Sequence, residues 1–296
     1  MNRSLILLVL ATTAYGDEPA WETVPQLRQA TDASPYADLV SRFPHHRGMR
    51  WREYRTLDTT THEMTHAING IYGWNLNTQP QVIKDKLPQQ YVFYVGQGRC
   101  FVLPATNVKI PAMHKIYRPV KAFDDSERVY LFARGQQTKD VLDVFDEWLA
   151  YMQDIRQGVY MLEHPKEYAG QRLDAAAGER LARFAYFATV AVMAIERENP
   201  AYLDDRFKTF FRWCHHESAE LVRQARRHKV LYPNDASRIA LLCETATTDA
   251  DRWLRQTFDL RYDELYGDIN PPAANPVAGE TLPAAQAVSV RRPQSE

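Results

Sequence analysis

The stretch Thr56–Gly70, TLDTTTHEMTHAING, decides how the rest of the chain is read. It carries histidines at 62 and 66 and a glutamate at 63. Residues four apart on an α-helix differ by about 40° around its axis, so the two imidazoles point the same way, one turn apart. Two neutral ring nitrogens at this spacing can share one Zn2+ at about 2.0–2.1 Å. Glu63 lies about 100° round from His62, too far to share the ion easily but well placed to touch a water on it. Between Thr59 and Tyr72 no other charged residue occurs. A surface helix would show several, so this helix is expected to be buried, where three unpartnered polar groups would be costly. A metal ion would satisfy them. Asp58 and Thr59 offer an N-cap, and Gly70 and Gly73 are expected to end the helix.

His62-Glu63-Met64-Thr65-His66 resembles the HExxH helix of the zincin superfamily of zinc metallopeptidases, and HEMTHAING is similar to the thermolysin-like, or gluzincin, version of it. The likeness covers about ten residues. It implies one Zn2+ per chain, His62 and His66 as ligands and Glu63 as general base, taking a proton as water attacks a zinc-polarised carbonyl and passing it to the leaving nitrogen. The chain departs from both main branches. Metzincins continue with Gly and His where this sequence has Asn69 and Tyr72, and thermolysin-like enzymes place a glutamate where this sequence has Lys86.

The third ligand therefore has to come from elsewhere, since no glutamate occurs between Met64 and Ser126. Glu147, in VLDVFDEWLAYMQD on a second amphipathic helix, is the candidate chosen. The other reading makes Asp143, Asp146 and Glu147 a solvated acidic face, and Asp85, His114 and Glu127 are further candidate ligands. Asp143 and Tyr151 lie four residues either side of Glu147 and share its face. That placement suggests Asp143 as acceptor for the second N–H of a ligating histidine and Tyr151 as donor to the oxyanion. The expected substrate is a peptide or protein, held as an extended chain by pairing to a strand edge in the 91–103 region. A catalytically silent, zincin-like binding module is the alternative from another class. A two-histidine, one-carboxylate iron site is a third, less favoured because such triads usually sit on β-barrels.

Around this motif the chain divides by pattern. Arg3, the apolar run Leu5–Ala14 and the small residues Ala14 and Gly16 read as a signal peptide over 1–16, with export to the periplasm or outside the cell after cleavage near Gly16. Residues 17–157 are expected to be α+β, with a hairpin of two strands over Tyr91–Pro104 turning at Gly96-Gln97-Gly98, and a further strand at Arg128–Gly135. Residues 158–267 read as a helical bundle, from periodic segments at 178–198, 201–228 and 234–257. From 268 to 296 five prolines and many alanines leave a tail too poor in large apolar residues to build a core. The fold class is thus α+β, predominantly helical, with a small sheet beside the motif helix.

Hydrophobic residues make up 45% and charged residues 25%, a globular balance, and the net charge of −1 argues against a nucleic-acid partner. Phe184–Ile195 is an uncharged run of twelve, well below the roughly 20 needed to span a bilayer, and is read as a buried helix. Cys100, Cys214 and Cys243 include no metal-type pair, and no bridge between Cys214 and Cys243 is expected from their offset along neighbouring helices. His215 and His216 point about 100° apart and are read as surface or interface residues, as are His45 and His46.

Overall fold

Tyr91–Pro104 alternates large apolar side chains about two glycines, and in the computed structural model it forms the expected hairpin. The structure describes residues 19–43, 56–117, 128–169, 177–228 and 249–266. The signal segment, His45 and His46, Glu127, Cys243, residues 234–248 and the 268–296 tail lie outside them. Strand β2 (Gln90–Gly96) pairs antiparallel with β3 (Arg99–Pro104), and a two-residue strand β1 (Glu22–Thr23) adds to the other side of β3. The order is β1-β3-β2.

The turn needs its glycines, since Gly96, Gln97 and Gly98 all have positive φ, +98°, +53° and +76°. A Cβ at Gly98 would sit 2.7–2.8 Å from the guanidinium of Arg42. That guanidinium is pinned by Asp38 at 2.8 Å and the Val24 carbonyl at 2.6 Å. Gly98→Ala is expected to lower stability by about 1–2 kcal/mol from the left-handed backbone alone, read from urea unfolding midpoints.

Successive side chains of a strand face opposite ways, and here each face meets a different core. Val92, Tyr94, Cys100 and Val102 pack with Leu39 of α1 (Pro35–Arg42) and Met64 and Ile68 of α2 (Leu57–Asn77). Phe93, Val95, Phe101 and Leu103 face the main core, built on α4 (Asp143–Glu163), α5 (Ala177–Glu198) and α6 (Asp205–Arg227). The short helix α3 (Pro80–Lys84) follows α2, and α7 (Ala250–Phe258) and α8 (Tyr262–Tyr266) close the bundle. The fold is mostly helical α+β with one small antiparallel sheet. Helix α4 runs straight through residue 157, and the main core takes side chains from both sides of that position.

Three local expectations need correction. Helix α2 is capped by Thr56 and does not stop at its glycines; it continues to Asn77. The amide of Asn77 donates to the Gln90 carbonyl at 3.0 Å and accepts from the Gln90 N–H at 2.7 Å, and this tertiary anchor outweighs glycine's weak helix propensity. Arg128–Gly135 is not a strand: it is a π-helical turn over Arg128–Phe132 followed by a 3-10 turn over Arg134–Gln136. His215 is fully buried, not on the surface, between Trp148 and Phe211 and within reach of Thr189 and Tyr266.

Burial, with a small addition from His216, pulls the His215 pKa down to about 3. Below pH ~6.5 the unfolded chain therefore takes up a proton at this histidine that the folded chain refuses, so its contribution to stability is lost as pH falls from ~6.5 towards 3. The cost should reach about 2 kcal/mol by pH ~5. His215→Gln is expected to flatten the fall in unfolding free energy between pH ~7 and ~5, measured by urea titration at each pH. In the described residues Cys100 and Cys214 are buried free thiols. No helix of the described residues is long and apolar enough to cross a membrane. Phe184–Ile195, the uncharged run, lies within buried α5.

Candidate metal centre

Helices α2 and α4 lie side by side, joined by His62 and His66 to Glu147 and by Asn69 to Asp146. Rising numbers on one meet falling numbers on the other, so they run antiparallel. The four-residue spacing of His62 and His66 turns both Nε2 atoms towards one point, 3.1 Å apart. Glu147 Oε2 completes a triangle, 3.6 Å from His62 Nε2 and 3.5 Å from His66 Nε2.

The two separations from Glu147 are long for hydrogen bonds and match what one ion requires, while the His62–His66 distance is a little shorter than that. Ligands held tetrahedrally at about 2.0–2.2 Å are about 3.3–3.6 Å from one another. Glu147 Oε2 is also buried without a hydrogen-bond partner, as is His62 Nδ1. A buried carboxylate oxygen left unmatched between two imidazole nitrogens is costly unless something cationic joins them. His62, His66 and Glu147 can together hold a metal ion, and among the described residues they are the one group of three that can. An ion held by these three residues would keep a fourth, open position.

Without an ion the compensating positive charge sits on His66. Burial alone would lower the His66 pKa, but Asp146 and then Glu147 outweigh it and hold it well above the ordinary histidine value. Burial pulls the Glu147 carboxyl up, yet His62 and His66 together hold it down at about 2.

The carboxylate bonded to His66 is Asp146, whose Oδ2 lies 2.7 Å from Nδ1, and not Asp143. Asp146 Oδ1 accepts from the Asn69 amide at 2.6 Å. Asp143 instead lines a groove of about 250 Å³ with Tyr91 and the exposed Trp74, beside His66. Burial, reinforced by Asp146 and Asp140 against Lys139 and Lys109, pushes its carboxyl up to about 6.

Tyr151 does reach the site, as the ring that packs on His62, centroids 4.3 Å apart. Its hydroxyl is hydrogen-bonded to Tyr130, and burial first raises the pKa of both phenols, Glu147 adding to each. Tyr130 also feels the charge of Glu63. Sequence reasoning missed Tyr130 and the Asn69–Asp146 pair. Of the reserve ligands, Asp85 and His114 lie outside the cluster. The edge of β2 is not free for an added strand at Gln90 or Tyr94, because Asn77 and Asn69 of α2 already bind those backbone groups.

Comparison with protein-family models, with curated proteins and with solved structures gives no significant match to this chain.

Proposed function

We propose that the chain is an exported zinc-dependent metallohydrolase of the zincin kind that cleaves peptide bonds. The observation that carries this is the triangle of His62 Nε2, His66 Nε2 and the unmatched Glu147 Oε2, with Glu63 in the HExxH position next to His62. Two imidazoles and one carboxylate suit Zn2+ with an open site, one ion per chain. Bound zinc supplies a water acidified towards pKa ~7 and a polarised carbonyl. Asp146 fixes His66 with its proton on Nδ1, which leaves Nε2 as the ligand atom. Glu63, outside the triangle, takes the proton from the attacking water and delivers it to the departing amine. The phenol pair Tyr130–Tyr151 supplies the donor for the developing oxyanion, with Tyr130 the member that feels both carboxylates.

Export rests on the N-terminal pattern of Arg3, Leu5–Ala14 and Gly16. The test is zinc content by mass spectrometry on the purified mature protein, together with cleavage of a mixed peptide library before and after chelation. One zinc per chain and cleavage lost to chelator, then restored by zinc, is the expected result. Wild-type protein that takes up no zinc on reconstitution would overturn it. Zinc without cleavage of any peptide would leave a silent metal-binding module.

A further inference from the structure

We propose that Asn69 is a positioning residue that ties the metal centre to the outer edge of the sheet. This rests on His66 being a metal ligand.

Asn69 is 6% exposed and lies three residues after His66, one turn along the same side of α2. Its amide bridges two groups that differ in kind. The backbone N–H of Tyr94 in β2 lies 2.7 Å from Oδ1 and can only donate, which fixes the amide orientation. Nδ2 is then turned to Asp146 Oδ1 at 2.6 Å, the other oxygen of Asp146 being bonded to His66 Nδ1. Asn69 accepts from the strand N–H and donates to Asp146, which also accepts from His66 Nδ1–H through its other oxygen. A carboxylate that is partly exposed, as Asp146 is, has torsional freedom of its own, and Asn69 removes it by holding the second oxygen. The ring of His66 is thereby set before any ion arrives, which lowers the ordering cost of binding.

Asn77 provides an internal control. It hooks the same helix to the same strand, through both the N–H and the carbonyl of Gln90, but no hydrogen bond joins it to Asp146.

The experiment compares zinc affinity, by competition with a chromophoric chelator at pH ~8, and the visible absorption of the cobalt(II)-loaded protein in wild type, Asn69→Asp and Asn77→Asp. Asn69→Asp keeps the acceptor for Tyr94 and replaces the donor to Asp146 by an oxygen. It is expected to weaken zinc binding by about 10–100-fold, the usual effect of losing such an outer partner, and to change the cobalt spectrum. Asn77→Asp is expected to leave both as in wild type. Asn69→Ala, which adds no charge, carries the same expectation if the aspartate variant does not fold. Wild-type affinity in both Asn69 variants would overturn the proposal while leaving the metal reading intact. Equal losses in Asn69→Asp and Asn77→Asp would overturn it too, reducing Asn69 to an anchor of the helix. Failure of wild type to bind zinc or cobalt would instead remove the metal reading itself.

Discussion

Glu147→Ala is expected to give a folded protein that no longer retains zinc, where wild type holds one ion per chain. The fold should survive because the neighbours that bury α4, Phe145, Trp148, Leu149 and Met152, are untouched. The site should not, because Glu147 supplies the only carboxylate oxygen in the triangle and its loss leaves two imidazoles facing each other across 3.1 Å. The loss should exceed the 10–100-fold typical of outer partners. His66→Ala should do the same. Zinc at saturating concentration should raise the unfolding free energy of wild type, by about 2.7 kcal/mol at 100 times Kd, and leave that of Glu147→Ala unchanged. The pH dependence has a definite sign. Without metal, Asp146 and Glu147 hold a proton on His66 to well above the ordinary histidine pKa against the pull of burial. Zinc must displace that proton, so wild-type affinity should rise with pH across the neutral range. Zinc retained by Glu147→Ala but lost by His66→Ala would keep the site and assign its third ligand elsewhere.

What the sequence reveals of this site follows from what is local to one helix. The pairing of His62 with His66 needs only the helical repeat, and the uncharged surroundings of the motif announced burial. Glu147 was reachable because it is an acidic residue on a strongly patterned helix able to pack beside the first. The partner of His66 was not. The four-residue rule puts Asp143 on the face of Glu147, yet the antiparallel register of α2 on α4 brings Asp146 to Nδ1. Register between helices 80 residues apart is a tertiary fact with no local sign. Tyr130 was hidden for a different reason: Arg-Val-Tyr-Leu-Phe alternates as a strand does, but the chain there closes a wide helical turn. The two-residue β1 is too short to show any period. His215 was legible and misread. Phe211, Cys214 and Ser218 on α6 are buried at helical spacing, and 215 falls in the same stripe while 216 does not share its full burial.

Glu63→Gln is expected to separate binding from chemistry. Glutamine has the shape of glutamate and, being outside the ligand triangle, should leave one zinc per chain and the same chelator competition curve as wild type. Peptide hydrolysis should fall by about 10²–10⁴-fold, the contribution of a positioned general base, which corresponds to about 3–5 kcal/mol of barrier. The loss should appear in kcat rather than KM, because Glu63 is asked to move a proton and not to hold the substrate. A structural role would instead lower the melting temperature, which a role in proton transfer leaves unmoved. Wild-type rates in Glu63→Gln would exclude it as the base and direct attention to the phenols of Tyr130 and Tyr151. Zinc lost along with activity would mean that Glu63 reaches the ion, and the site would have to be redrawn with four protein ligands, closed to substrate and structural in kind.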